Sequence, residues 1–158
     1  MRDMTVCFLV RHTPVHEVLL GFKKRGFGAG KYAGIGGRVE GGETIRAATA
    51  RELYEETSIL ATDSDLQAMG TITFCFPNRP TWDQVVYVFL VTRWRGEPSE
   101  SDEMLPAWYP IDAVPFAQMW DDSRYWLPQI LANQPLQARI TYADDNATVC
   151  DVQLAAPH

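Results

Sequence analysis

Residues 37–59 read GRVEGGETIRAATARELYEETSI, and this stretch determines how the rest of the chain is interpreted. Its second part predicts a helix over residues 44–59, because Thr44 is a suitable N-cap, alanines recur, and no glycine or proline interrupts the pattern. At about 100° per residue, one side of the helix gathers the residues that we expect to pack on a sheet. These are Ala47, Ala50, Leu53, Tyr54 and Thr57.

Three glutamates, Glu52, Glu55 and Glu56, cluster on the opposite side of this predicted helix. Residues three and four apart on a helix have Cβ atoms about 5–6 Å apart, so the three carboxylates repel one another. In a cleft this repulsion would raise their pKa values unless a cation were bound. A hard divalent cation with oxygen ligands, Mg²⁺ or Mn²⁺, suits such a cluster, and a solvated glutamate-rich helix face is the alternative.

Around this helix the chain alternates between strand-like runs and loops. Apolar or alternating runs predict strands over residues 5–10, 17–22, 68–76, 84–94, 104–109, 137–142 and 148–154. Seven of the eleven glycines lie between Gly28 and Gly42, where Ile35 and Val39 alternate as on a short strand. A second helix is predicted over residues 123–132, and the last two strands form a hairpin. We therefore expect one domain, residues 1–158, of the α/β or α+β class.

Composition excludes several classes of protein. With 46% apolar and 22% charged residues in 158, the chain has a globular rather than a disordered composition. A net charge of −6 disfavours nonspecific binding to a nucleic acid polymer, and no apolar run approaches the length of a membrane helix. Three widely spaced cysteines outside any CxxC pair indicate neither a disulfide framework nor a zinc ribbon. The first ten residues lack the features of a signal peptide, so we expect a cytoplasmic location.

The spacing of residues 37–59 resembles the Nudix box. Gly37, five residues, Glu43, seven residues and then the run from Arg51 to Ile59 follow that family's pattern. Six identities agree at fixed spacing, and at background frequencies near 6% chance agreement at a given position is on the order of 10⁻⁷. One position departs, because Ser58 stands where the family has a glycine near the helix end.

This resemblance implies a fold, a chemistry and a set of roles. The fold is an α/β/α sandwich with a mixed central sheet, and the reaction is hydrolysis of a nucleoside diphosphate linked to another group. It implies Mg²⁺ or Mn²⁺ bound by Glu52, Glu55 and Glu56 together with the Gly37 carbonyl. Arg51, four residues before Glu55, is positioned to hold that carboxylate. We favour Glu56 as general base, with Glu103 as the alternative.

Segments outside the box resemble the MutT-homologue branch of the Nudix family, whose members hydrolyse 8-oxo-dGTP. The similarity covers residues 23–30, 74–76, 101–104 and 115–120. It implies that Glu103 also approaches the metal. It further implies a base pocket formed by Thr5, Lys23, Phe27, Phe74, Phe76, Trp120 and Trp126.

Two positions depart from that branch and bear on the choice of base. Ala33 lies in the segment where the branch has an asparagine, so its side chain offers no amide to a purine. The acid pair Asp121-Asp122 follows Trp120 directly, whereas one residue intervenes in the branch. Without a gap Asp122 matches the first acid and Ser123 the second; with a one-residue shift both acids, Asp121 and Asp122, are kept.

The sequence thus predicts a metal-dependent hydrolase that converts an oxidised purine nucleoside triphosphate to its monophosphate and pyrophosphate. One alternative is a Nudix hydrolase of another nucleoside diphosphate or triphosphate derivative, since Ala33 alters the base pocket. The other is a nucleotide-binding module without turnover. A nucleotide is the expected partner, and the sequence does not distinguish a monomer from a dimer.

Overall fold

The computed structural model describes residues 1–155, which form nine β-strands and two α-helices. The strands are β1 (Arg2–Arg11), β2 (Glu17–Lys23), β3 (Tyr32–Ala33), β4 (Ile35–Arg38), β5 (Leu66–Cys75), β6 (Gln84–Val91), β7 (Met104–Pro110), β8 (Leu136–Tyr142) and β9 (Val149–Ala155). The helices are α1 (Ile45–Thr57) and α2 (Ser123–Leu131). Short 3₁₀ helices occupy some of the connections, among them Pro80–Trp82 between β5 and β6.

All nine strands belong to one mixed sheet. Its main path runs β3-β2-β1-β6-β5-β8-β9, with β4 paired to β1 and β7 paired to β2. The pairs β1–β6 and β5–β8 are parallel, and the remaining pairs are antiparallel. The predicted mixed central sheet is confirmed, as is the terminal hairpin of β8 and β9.

The two helices cover opposite faces of this sheet. Alternation along β1 sends Cys7 and Leu9 to one apolar cluster and Phe8 and Val10 to the other. Leu53 of α1 lies in the first cluster, and Trp126 of α2 lies in the second. This three-layer arrangement confirms the predicted α/β/α sandwich. Neither helix within residues 1–155 is long and apolar enough to cross a bilayer.

Helix α1 begins where the sequence predicts and ends two residues early. The Thr44 hydroxyl caps it by accepting a hydrogen bond from the Ala47 amide at 3.1 Å. After Thr57 the chain enters the left-handed region at Ser58, with φ 67°, so serine takes the conformation for which the family uses glycine. The Ser58 hydroxyl accepts a hydrogen bond from Ser99 at 3.0 Å.

The predicted packing face of α1 is confirmed at Leu53 and Thr57 and wrong at Ala47 and Tyr54. The buried residues are Ala48, Thr49, Leu53, Glu56 and Thr57, whereas Tyr54 is 53% exposed. The buried face is partly polar because it contacts polar groups of the sheet as well as the apolar core. The Thr49 hydroxyl, for example, hydrogen-bonds to the hydroxyl of Thr5 on β1. The buried face is therefore rotated relative to the predicted one, so that Glu56 is buried and its neighbour Glu55 is exposed.

Candidate active site

The glycines of β4 bring the backbone of this strand against the glutamates of α1. Gly37 pairs with Thr5 of β1, and a Cβ atom added to Gly37 would lie 2.6 Å from the Glu52 carboxylate. A Cβ atom on Gly36 would lie 1.9 Å from the Thr5 carbonyl oxygen. No side chain fits at either position, so the Glu52 carboxylate lies directly against the Gly37 main chain.

Arg51 organises the acidic side chains at the start and outer edge of α1. Its Nε donates to Glu43 Oε2 at 2.6 Å and its Nη2 to Glu43 Oε1 at 3.0 Å. Its Nη1 donates to Glu52 at 2.9 Å and to Glu55 at 3.2 Å, so the predicted contact with Glu55 is present. The Arg51 hydrogen bonds, followed by the Glu40 amide, lower the pKa of Glu43 to about 2.

Glu56 lies deeper than the other glutamates of the box. It is 4% exposed, and its Oε1 has no hydrogen-bond partner among residues 1–155. Burial raises the pKa of Glu56 to about 8, and the negative charge of Glu52 adds to the shift. The positive charge of Lys23 opposes it. A buried, unpartnered carboxylate oxygen near a second carboxylate is an arrangement that a bound cation would relieve.

Glu103, the residue just before β7, approaches the same acidic cluster but lies at the exposed edge of the cluster. Its side chain is 53% exposed, and Arg25 lies 3.5 Å from its carboxylate. Its charge still contributes to the raised pKa of Glu56. Glu103 is therefore near enough to act on Glu56 electrostatically.

The donor set fits a hard divalent cation in kind, because it consists of carboxylate oxygens beside an exposed main-chain segment. Glu52 lies beside Gly37 and near Glu56, while Arg51 hydrogen-bonds to both Glu52 and Glu55 and Arg25 pairs with Glu103. In residues 1–155 no three Asp, Glu, His or Cys side chains already form a ligating group. The predicted metal set stays a prediction.

A cavity of about 170 Å³ opens beside these acids. Of the predicted substrate-binding residues, it is lined by Thr5, Lys23, Phe27, Ala33, Phe74, Phe76, Trp120, Asp122 and Trp126. Gly37 also lines it, so the acidic cluster and the cavity adjoin. The single predicted residue that the structure does not bring to this cavity is Asp121.

Aromatic rings line part of the cavity, among them Phe27, Phe76 and Trp120. Phe27 stacks on Trp120 with ring centroids 5.2 Å apart and planes 18° from parallel. Trp82, which lines a neighbouring pocket, meets Phe27, Phe76 and Trp120 edge to face, with centroids 4.9 to 6.4 Å apart. Sequence reasoning missed Trp82, which lies on a short 3₁₀ turn; its position between two predicted strands was the only available signal.

Asp122 and Asp121 face different surroundings. Asp122 lines the cavity and accepts hydrogen bonds from Trp126 Nε1 at 2.7 Å and from the Tyr142 hydroxyl. Burial raises the pKa of Asp122 above its usual range. Asp121 instead pairs with Arg124 and accepts from the Val149 amide at 2.8 Å, which places it outside the cavity. Ser123 also lines the cavity, next to Asp122. The structure thus brings to the cavity the two residues of the ungapped match, in which Asp122 corresponds to the first acid and Ser123 to the second.

Gln84 is a cavity residue that sequence reasoning missed. It is the first residue of β6 and is 7% exposed. The available signal was its position two residues before Val86, which also lines the cavity, since alternate residues of a strand share a face. A polar residue at an inward-facing position of an apolar strand is a marker of a binding site.

The family model for the NUDIX domain matches residues 1–130 of the chain. Together with the sandwich fold and the acidic helix beside a cavity, this match shows that the chain belongs to the NUDIX family. Members of this family generally use divalent metal ions.

Two curated relatives are more specific. An oxidized purine nucleoside triphosphate hydrolase of Danio rerio is 50% identical over 115 residues, covering 73% of this chain and 72% of the relative. A protein of the same name from Mus musculus is 42% identical over 130 residues, covering 82% of this chain and 81% of the relative.

Solved structures agree on the fold. A MutT protein of Bacillus halodurans superposes with a TM-score of 0.83 at 24% identity, over 98% of this chain and 97% of its own. A MutT NUDIX hydrolase of Burkholderia pseudomallei gives a TM-score of 0.63 at 26% identity, covering 72% of this chain and 86% of its own.

Proposed function

We propose that the chain is a Mg²⁺- or Mn²⁺-dependent pyrophosphohydrolase that converts oxidised purine nucleoside triphosphates to monophosphate and pyrophosphate. The observation that carries the proposal is the position of Gly37, which lines the aromatic cavity and touches the Glu52 carboxylate. A base in the cavity would therefore place its phosphates at the acidic face of α1. The names of the two curated relatives support the same substrate class.

Glu52, Glu55 and Glu56 would hold the metal with the Gly37 main chain, and Glu103 would approach it from β7. When bound, the metal lowers the pKa of the attacking water and neutralises charge on the polyphosphate. Arg51 orients the carboxylates of Glu52 and Glu55 through its 2.9 and 3.2 Å contacts. Glu56 is our candidate general base, because it is the most buried carboxylate of the cluster and a bound cation would favour its ionised form. Glu103, near the exposed edge, is the alternative base.

The cavity would bind the base by stacking and by polar contacts to its edge. Phe27, Phe76 and Trp120 offer aromatic rings at the cavity wall. Stacking on aromatic side chains contributes about 1–3 kcal/mol per base in single-strand binders and tolerates any base. Selection among bases therefore requires the polar groups deeper in the cavity, which include Asp122 and Ser123.

A second candidate is a NUDIX hydrolase acting on another nucleotide. It is favoured by Ala33, which lines the cavity and presents no hydrogen-bonding side chain to a base. A nucleotide-binding module without turnover is disfavoured by the retention of Glu52, Glu55 and Glu56.

Parallel assays with 8-oxo-dGTP, dGTP, 2-hydroxy-dATP and dCTP separate these candidates. We expect hydrolysis that requires Mg²⁺, with kcat/KM for 8-oxo-dGTP more than about tenfold above that for dGTP, equivalent to about 1.4 kcal/mol. A ratio near one would keep the hydrolase and reject the oxidised substrate. Metal-stimulated hydrolysis of none of the four would favour the binding module.

A further inference from the structure

The side chain of Gln84 is buried at the wall of the base cavity. Gln84 begins β6, where it pairs with Phe74 of β5 and with Arg2 of β1. It shares its strand face with Val86, and the cavity is lined by Gln84, Val86 and Phe74 together. Gln84 is 7% exposed, so the accessible part of its amide meets the cavity rather than open solvent.

Two other polar side chains at the cavity, Thr5 and Asp122, have partners inside the protein. The Thr5 hydroxyl bonds to Thr49, and the two oxygens of Asp122 accept from Trp126 and Tyr142. The side-chain hydrogen bonds within residues 1–155 include none from the Gln84 amide. The side-chain amide of Gln84 is therefore available to a ligand in the cavity.

We propose that Gln84 is a specificity-determining residue that hydrogen-bonds to the edge of the bound base. The proposal rests on the proposed function, since it assumes that the cavity takes a purine. A primary amide carries one donor and one acceptor side by side, so it pairs best with an edge that offers a neighbouring acceptor and donor. Ala33 lacks such a group, and Gln84 supplies one from a different strand.

This chemistry discriminates oxidised guanine from guanine. The N7 and O6 atoms of guanine are both acceptors. Oxidation at C8 adds a carbonyl oxygen and converts N7 to an N–H donor, which then lies between the O6 and O8 acceptors. At the N7 edge the Gln84 amide can accept from N7–H and donate to an adjacent oxygen of 8-oxoguanine, whereas at the same edge of guanine it can only donate. Adenine has a donor at N6 and an acceptor at N7, so it can also form two hydrogen bonds with the Gln84 amide and is not excluded.

The test compares Gln84→Leu with Gln137→Leu, the same replacement at an exposed position of β8. First, the Tm of each variant is measured without ligand. We expect Gln84→Leu to match the wild type, because the replaced amide makes no side-chain hydrogen bond within residues 1–155. If Gln84 stabilised the fold, its replacement by leucine would lower the Tm instead.

Second, binding of 8-oxo-dGMP and dGMP is measured by calorimetry in the absence of metal, so that turnover is not needed. We expect the wild type and Gln137→Leu to prefer 8-oxo-dGMP. Gln84→Leu should lose roughly tenfold or more of that preference, within the range of one bidentate contact to a base. The ratio of kcat/KM for 8-oxo-dGTP and dGTP should fall in parallel, mainly through KM for the oxidised nucleotide.

The two readouts separate this proposal from the proposed function. If the wild type hydrolyses no nucleotide but its binding preference depends on Gln84, the proposed function fails and the role of Gln84 stands. If Gln84→Leu keeps the wild-type preference, or if the wild type shows none, the role of Gln84 is overturned. Should Gln84→Leu fail to fold, Gln84→Met keeps the side-chain length without an amide and is judged by the same ratios.

Discussion

At the scale of single residues, Glu56 is the most perturbed acid of the proposed metal site. It is 4% exposed, one of its oxygens has no partner within residues 1–155, and burial raises its pKa to about 8. A carboxylate in that position destabilises the free protein when it is ionised, so its presence is better explained by chemistry than by folding.

Replacement of Glu56 by glutamine should therefore separate function from stability. Glu56→Gln keeps the side-chain volume and removes a charge from a repulsive cluster, so we expect its Tm at pH 8 or above to equal or exceed that of the wild type. We expect kcat to fall by about 10²–10⁴-fold, the range for loss of a general base. Glu97→Gln, which changes an exposed glutamate, is the matched control for steady-state assays. Wild-type rates in Glu56→Gln would reject its place in the active site.

Ala33 is the residue at which the chain departs from the 8-oxo-dGTP-hydrolysing branch within the cavity. Ala33→Asn would add an amide next to the base. We expect the ratio of kcat/KM for 8-oxo-dGTP over dGTP to rise severalfold, because one added polar contact discriminates by about 1 kcal/mol or more. An unchanged ratio would mean that residue 33 faces another part of the nucleotide.

At the scale of elements, helix α1 is fixed at its start by two devices. The Thr44 hydroxyl caps the first turn, and the Glu43 carboxylate joins Arg51 to the Glu40 amide. The Arg51 hydrogen bonds lower the pKa of Glu43 from 4.5 to about 2. Since the depressed pKa belongs to the folded state, this contribution to stability is complete above pH 4.5 and is lost as the pH falls towards 2.

A Glu43→Gln variant should reveal this dependence. Its Tm should lie below that of the wild type at pH 7, and the difference should shrink between pH 4.5 and pH 2 as Glu43 becomes protonated in the wild type. Thermal unfolding monitored by circular dichroism at several pH values measures the difference. A difference that stays constant over that range would show that the Glu43–Arg51 pair does not stabilise α1.

The order of strands and helices was predictable from the sequence because apolar periodicity and capping act locally. Thr44 and the β8–β9 hairpin are examples, and both are confirmed. The packing face of α1 was not predictable from periodicity, because Thr49 and Glu56 are buried by contacts with distant residues. The acids after Trp120 were ambiguous for a similar reason: only the tertiary contacts to Tyr142 and Val149 assign Asp122 to the cavity and Asp121 to the hairpin.

At the scale of the whole molecule, the hairpin of β8 and β9 supports the cavity although both strands follow the part matched by the family model. Tyr142, at the end of β8, is fully buried, stacks on Phe76 at 4.6 Å and donates to Asp122. The Asp121 carboxylate accepts from the first amide of β9. The hairpin thus does more than cover a sheet edge, since it contacts Asp122 at the cavity.

Removal of the Tyr142 hydroxyl tests whether the hairpin influences the cavity through Asp122. Tyr142→Phe keeps the stacked ring and leaves the Asp122 carboxylate with one donor fewer. We expect the free energy of unfolding to drop by about 1–3 kcal/mol and KM for the preferred nucleotide to rise severalfold, with a smaller effect on kcat. Tyr125→Phe, at a residue that is 38% exposed, serves as the control in urea titrations and in kinetics. Equal effects of the two replacements would show that the hairpin does not influence the cavity.

The proposed reaction uses a metal held on α1 to split a nucleoside triphosphate into monophosphate and pyrophosphate. Product analysis of 8-oxo-dGTP incubated with purified protein and Mg²⁺, with and without a chelator, is the decisive measurement. We expect 8-oxo-dGMP and pyrophosphate in equal amounts, and no product when the chelator is present. Release of orthophosphate with a nucleoside diphosphate, or hydrolysis that persists with the chelator, would contradict it.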